Sequence, residues 1–96
     1  MINIMNNFDN SYVTVGTAST TDAEANGKRR FLCVVNDSDS IIYLSLGNLA
    51  VWRNGIRLNA LGGSFMVDDR NLYQGKVTAI CSATATKRVT VCEGNP

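Results

Sequence analysis

The sequence contains no histidine, and this absence excludes several kinds of chemistry. Histidine-based catalytic triads and metal sites that need imidazole cannot be built. The three cysteines, Cys33, Cys81 and Cys92, are dispersed and include no C-x-x-C pair, so they do not form a zinc ligand set. No glycine-rich loop is followed by a helix or by Gly-Lys-Ser. We therefore expect a protein that is not an enzyme and that binds no metal or cofactor.

Charge and long apolar runs are also scarce. The formal net charge is +1, which gives no general attraction to nucleic acid or to acidic membranes. No segment approaches the roughly 18 consecutive apolar residues that cross a bilayer, so no membrane contact is expected. Residues 1–10 are polar and rich in asparagine, unlike a secretory signal peptide. We therefore expect folding in a reducing cytoplasm, with the three cysteines as free thiols.

Proline occurs once, and short runs of alternating apolar residues recur about every ten residues between Gly, Asn and Asp. This spacing predicts an all-β fold: a single small antiparallel β-sandwich or jelly-roll-like barrel of seven to eight strands, with a short N-terminal arm. The predicted strands are 12–15, 28–36, 41–46, 49–52, 56–58, 64–68, 76–82 and 87–93.

Several local patterns make more specific predictions. The strand at 28–36 is apolar on both faces at its centre, which predicts a central strand covered on two sides. The polar residues 36–40 predict a turn that joins this strand to 41–46 as a hairpin. Asn54-Gly55 predicts a hairpin between 49–52 and 56–58, and a last hairpin is expected across 82–86. Residues 18–27 are expected to form a loop or one helical turn.

The predicted organisation is an arm at 1–10, a β-sandwich domain at 11–93 and a tail at 94–96. In the arm, Ile2, Ile4 and Phe8 alternate with asparagines. This pattern is compatible with an added edge strand, with a segment lying on a neighbouring subunit, or with a disordered terminus.

A cluster of three cations and a lone tryptophan are further candidates for contact with a partner. Lys28, Arg29 and Arg30 could contact phosphate, but a strand splits them between two faces and stacking aromatics are absent, so nucleic-acid binding is not favoured. A salt bridge to a neighbouring protein and a solvated strand end are the other interpretations. Trp52, beside Arg53, either caps the core or anchors an interface. The candidate interface residues are thus Ile2, Ile4, Phe8, Lys28, Arg29, Arg30, Trp52 and Arg53.

Several segments together resemble a pattern in small virion proteins of tailed bacteriophages. They are Lys28-Arg29-Arg30-Phe31-Leu32, residues 36–44, Gly55-Ile56-Arg57-Leu58, Gly62-Gly63-Ser64-Phe65, residues 72–77, Ala79-Ile80-Cys81 and residues 89–93. The resemblance implies a capsid decoration or cement protein of the virion, made in the host cytoplasm, which binds the major capsid protein or another virion protein and itself as a trimer or dimer. The alternatives are a neck, tail or fibre-attachment component, and a small carbohydrate-binding β-sandwich.

Overall fold

A computed structural model describes residues 7–83 and 87–96, and it confirms the predicted all-β fold. The eight strands are β1 (Asn7–Val15), β2 (Thr20–Ala23), β3 (Phe31–Asn36), β4 (Ile42–Leu46), β5 (Ile56–Leu58), β6 (Ser64–Val67), β7 (Val77–Cys81) and β8 (Lys87–Asn95). Within these residues, no helix has the length and apolar character needed to cross a membrane.

The strands form two antiparallel four-stranded sheets. The first sheet has the order β1-β8-β3-β6, and the second sheet has the order β2-β7-β4-β5. The pairs β1–β8, β2–β7, β3–β6 and β4–β5 are all hydrogen-bonded neighbours, so the chain pairs its outermost strands with each other and its innermost strands with each other. This is the strand order of a jelly roll, one of the two architectures that the sequence predicts.

The hydrophobic core lies between the two sheets, because alternate residues of the strands point into this space. Leu32 and Val34 of β3 are fully buried, as are Ile42 and Leu44 of β4. The rest of the core comes from the other strands and includes Val15, Ala23, Leu58, Val67, Val77, Ala79, Cys81, Val89 and Val91. Burying each large aliphatic side chain of this set stabilises the fold by about 1.5–3 kcal/mol.

The predicted hairpin between 28–36 and 41–46 is wrong, since β3 and β4 lie in different sheets. The polar turn exists, but it carries the chain from one sheet to the other. Asn36 is fully buried at this crossing, where its Nδ2 donates to the carbonyl oxygens of Ser40 (2.7 Å) and Leu58 (3.1 Å). The predicted hairpin across 82–86 is wrong for the same reason, because β7 and β8 also belong to different sheets.

Two local assignments also differ from the prediction. Residues 49–52 do not form a strand: β5 pairs with β4, and the tight turn spans Val51 to Asn54, with Arg53 at a φ of 66°. The backbone N–H of Ala50 donates to Ser19 Oγ (2.8 Å), which holds this segment outside the sheet. Residues 20–23, where a loop or helical turn is predicted, instead pair with β7 as β2, with a register shift between Thr21 and Ala23.

The first sheet extends beyond the domain boundaries expected from the sequence. Residues 7–10 of the expected arm belong to β1, and residues 94 and 95 of the expected tail belong to β8. Asn7 lies opposite Asn95, and Asn7 Nδ2 donates to the Pro96 carbonyl oxygen (3.1 Å). Each end therefore satisfies the backbone groups of the other. Ile2, Ile4 and residues 84–86 lie outside the described residues.

Candidate interaction face

The outer face of the first sheet, turned away from the core, carries many apolar side chains. Among them, Phe8 is 51% exposed, Tyr12 58% and Met66 51%. The other apolar members are half-buried. We call this surface the open face, and its members are Phe8, Asn10, Tyr12, Phe31, Cys33, Val35, Met66, Thr90 and Cys92.

The strand register arranges these side chains in rows across the sheet. One row runs from Asn10 through Cys92 and Cys33 to Met66. In another row, Phe8 and Phe31 lie on either side of Gly94, and their rings meet edge to face with centres 6.1 Å apart. The two rings can meet because glycine places no side chain between them. The apolar groups therefore form one continuous surface.

Cys33 and Cys92 lie directly opposite each other on β3 and β8. Both are free thiols, as is the buried Cys81, in agreement with the prediction. Burial raises the pKa of the Cys33 thiol above its usual value, and the neighbouring Cys92 raises it further. The Cys33 thiol is therefore a weakly polar, neutral part of the open face.

Charged groups lie at one end of the open face. The guanidinium carbon of Arg88 sits 4.0 Å from the centre of the Tyr12 ring, a cation–π contact. Arg88 and Asp37 border a shallow depression of about 380 Å³ whose floor includes Cys33, Val35 and Cys92. An apolar centre with a polar, charged rim is the usual composition of a protein–protein interface.

The cationic cluster predicted as an interface does not act as one surface. Arg29 is fully buried, and its Nε donates to Glu93 Oε2 at 2.7 Å. Its other nitrogens donate to the carbonyl oxygens of Glu24, Tyr73 and Gly75. Arg29 therefore ties three parts of the chain together and cannot contact a partner, which corrects the prediction. Lys28 is exposed and Arg30 is half-buried.

Trp52 and Arg53 lie away from the open face. Trp52 packs edge to face against Tyr43 on the outer side of the second sheet, with ring centres 5.1 Å apart, and it remains 37% exposed. It thus caps the outside of a sheet, whereas the sequence suggested either the core or an interface anchor. Arg53 is exposed in the adjacent turn. Of the predicted interface residues that the structure describes, Phe8 is the one that joins the open face.

Most of the open face was not singled out from the sequence. The candidate interface residues predicted from the sequence do not include Tyr12, Phe31, Cys33, Val35 or Met66. The signal was nevertheless present in β3, whose apolar residues on both faces predict cover on two sides. The structure covers one side fully and leaves the other half-exposed. The half-exposed residues of β3, which are Phe31, Cys33 and Val35, belong to the open face.

Neither models of protein families, nor curated proteins, nor solved structures match this chain. In residues 7–83 and 87–96, no group of three or more Cys, Asp or Glu side chains is placed to hold a metal ion. The described part of the open face presents apolar side chains, with charged groups at one end.

Proposed function

We propose that this protein is a non-enzymatic structural protein of a bacteriophage virion, which docks its open face on the major capsid protein and stabilises the head shell as a homo-oligomer. The observation that carries the docking proposal is the pattern of β3. This strand is apolar on both faces, but the described residues fully bury only one of them.

The exposed side chains of the open face provide the free energy for docking. Phe8, Tyr12 and Met66 are each at least half exposed, and covering a side chain of this size contributes up to about 1.5–3 kcal/mol. Soluble monomers rarely leave contiguous apolar patches of large area in water. A partner that covers the open face would remove this unfavourable exposure.

The virion assignment rests on the resemblance of the sequence to small tailed-phage proteins. The jelly-roll order is compatible with it, because viral capsid domains use this architecture, although a fold alone does not fix a function. A cement protein needs a rigid scaffold and a complementary face. Many copies on one shell compensate for a modest contact area per copy.

The docking face can be tested by a charge placed at its edge. Met66→Lys should weaken binding to shells that lack the protein by at least about tenfold, because a lysine would have to be desolvated at the contact. Leu49→Lys is the matched control, since Leu49 is 73% exposed on a loop of the second sheet. Binding is measured by co-sedimentation with the shells. Equal binding by the two variants would rule out the open face as the docking surface.

The position in the particle can be tested by stoichiometry. A head cement protein should approach the copy number of the major capsid protein in purified particles, as quantified by mass spectrometry. A neck, tail or fibre component should be present in far fewer copies. Particles without the protein should also lose infectivity faster on heating or osmotic shock, and unchanged survival would contradict the cement role.

A further inference from the structure

One edge of the first sheet differs from the other three edges of the sandwich. β6 and β2 have four residues each, β5 has three, and β2 is interrupted by a register shift at Asp22. β1 has nine residues, pairs with β8 without a register shift, and contains no Lys, Arg or Pro. Natural edge strands are usually kept short or blocked by a bulge, a charge or a proline, because open backbone groups invite another strand. Of these protections, β1 carries only a single charge, that of Asp9.

The alternation of backbone hydrogen bonds along β8 shows which backbone groups of β1 point away from β8, toward the open edge of the sheet. The Asp37 N–H donates to the Arg88 carbonyl oxygen (3.0 Å), so Arg88 directs its backbone groups toward the β3 side of β8. Successive residues of a strand direct their backbone groups to opposite sides. The even-numbered residues of β8 therefore bond to β3, and the odd-numbered residues bond to β1. The register then directs Asp9, Ser11 and Val13 toward β8. Consequently, the N–H and C=O groups of Phe8, Asn10, Tyr12 and Thr14 point to the open edge. Among the described residues, no backbone group outside β8 bonds to them.

We infer that β1 pairs with β1 of a second copy of this chain, antiparallel, with the two Asn10 residues opposite each other on a two-fold axis. In this register Phe8 lies opposite Tyr12 of the second copy, and Asp9 lies opposite Ser11. Residues 8, 10 and 12 all have outward backbone groups, so the register makes about six main-chain hydrogen bonds between the copies.

Side-chain complementarity selects this register over its neighbours. It places two aromatic pairs across the axis, which are favourable cross-strand neighbours, and the Asn10 amides can bond to each other. A shift that centres the axis on Asp9 would place two carboxylates directly opposite each other, which is destabilising. A shift that centres it on Ser11 would place Phe8 opposite Thr14 and lose both aromatic pairs.

The dimer would join the two first sheets into one continuous sheet of eight strands. Because directly opposite residues point to the same side of a sheet, the two open faces would merge into one surface of twice the area. This inference deepens the homo-oligomer of the proposed function, but it uses the edge of the sheet and not the face. Two linked faces would bind a repetitive shell more tightly than one.

The test is sedimentation equilibrium of the full chain and of Asn10→Pro. Proline removes the N–H that points to the open edge and leaves the β1–β8 ladder intact, and proline is tolerated in edge strands. The wild-type chain should dimerise, and Asn10→Pro should weaken dimerisation by at least about tenfold with an unchanged monomer melting temperature. Asn10→Thr, which keeps the N–H, is the matched control and should remain dimeric.

Mixed isotope labelling tests the register without a substitution. In a dimer of one labelled and one unlabelled chain, cross-protomer NOEs should connect the Phe8 and Tyr12 rings, which are four residues apart along one extended strand. A wild-type monomer at all concentrations, a dimer without these NOEs, or a dimer broken by Met66→Lys but not by Asn10→Pro would overturn the inference. A monomer that still binds shells would overturn the dimer and leave docking through the open face in place. A dimer that binds no shells would overturn the docking and leave the dimer in place.

Discussion

The outer faces of the two sheets carry similar side chains but differ in how far those side chains are exposed to solvent. On the second sheet, Thr78 and Ile80 point outward from β7 and are only 2% and 9% exposed. The segment 47–55, which we call the cover segment, contacts Thr78 and also Tyr43, which lies opposite Ile80 in the sheet. Thr78 Oγ1 donates to the Asn48 carbonyl oxygen at 2.7 Å, and Trp52 packs on Tyr43. On the first sheet, no described segment covers Cys33 and Val35 in this way.

Among the described residues, a connecting segment covers the outer face of the second sheet, and no such segment covers the outer face of the first. β7 is buried at all five positions, whereas β3 alternates between buried and half-buried residues. The long connection between β4 and β5 supplies cover for the second sheet. The first sheet has no equivalent among the described residues, and the apolar side chains on its outer face stay half-buried or exposed. Four substitutions or titrations test this contrast.

The largest effect on stability should come from the ionisation of Asp22, a buried residue of β2 in the second sheet. Asp22 is 7% exposed, its carboxylate oxygens have no hydrogen-bond partner among the described residues, and burial raises its pKa to about 7. The folded chain should therefore hold a proton that the unfolded chain releases above about pH 4. Stability should fall as the pH rises from about 4 through 7, by up to about 4 kcal/mol at full ionisation.

The measurement is urea unfolding as a function of pH, with Asp22→Asn as the control. The asparagine variant keeps the size of the side chain but cannot ionise, so its stability should not decline over this window. A decline of the same size in both proteins would assign the pH dependence to other groups.

Gly55→Ala should be the next most damaging change, because it disturbs the end of the cover segment. Gly55 has a φ of 100°, and a Cβ there would collide with the Leu44 carbonyl oxygen of the neighbouring strand. We expect a loss of about 3 kcal/mol in the free energy of unfolding. Gly62→Ala is the control: its φ is 116° but its Cβ would meet no atom, so about 1 kcal/mol should be lost. Equal losses of stability in the two variants would mean that the backbone shifts to relieve the collision of the alanine Cβ with the Leu44 carbonyl oxygen.

Outward positions on the two sheets should respond differently to the same substitution. Ile80→Thr, on the outer face of the second sheet, should destabilise the chain by about 2 kcal/mol, because it removes buried methyl groups and buries a hydroxyl. Val35→Thr, on the open face, should cost less than about 1 kcal/mol. Chemical denaturation of the monomer measures both. Similar losses would show that the open face is as well packed as the covered face.

The smallest effect is expected for Trp52→Ala. The tryptophan contributes one edge-to-face contact with Tyr43 and is already 37% exposed, so its loss should reduce stability by about 1 kcal/mol. Shell binding should not change, because Trp52 lies on the opposite side of the sandwich from the open face. Loss of binding without loss of stability would instead make the cover segment an interface.

Local sequence patterns predicted the kind of structure better than its connections. Alternation identified most of the strands, including β3 and β4, since period-two apolar patterning is typical of strands that pack on a core. The same alternation contains no information about which strand is the neighbour, and the hairpins predicted at 36–40 and 82–86 were wrong. Arg29 illustrates the same limit, because three of its acceptors, in Tyr73, Gly75 and Glu93, come from distant parts of the chain.

The open face was partly predictable for a related reason. The two-sided apolar pattern of β3 predicts cover on both faces, but it does not say whether the cover is part of the same chain. The burial of β7 and the exposure of β3 arise from where a long loop happens to fold. The position of the loop depends on contacts such as the hydrogen bond from the Ala50 N–H to Ser19 Oγ, and the periodicity of apolar residues does not predict such contacts.

The pairing of the first strand with the last has a consequence for how the protein emerges from the ribosome. β1 is synthesised early, yet its neighbour β8 appears only after the intervening strands have been made. Until then the aromatic side chains and both edges of β1 have no native partner in the first sheet. Such distant pairing slows folding and prolongs the interval in which nascent chains can associate wrongly. Production in the cell should therefore depend more on the rate of translation and on chaperones than on the stability of the finished fold.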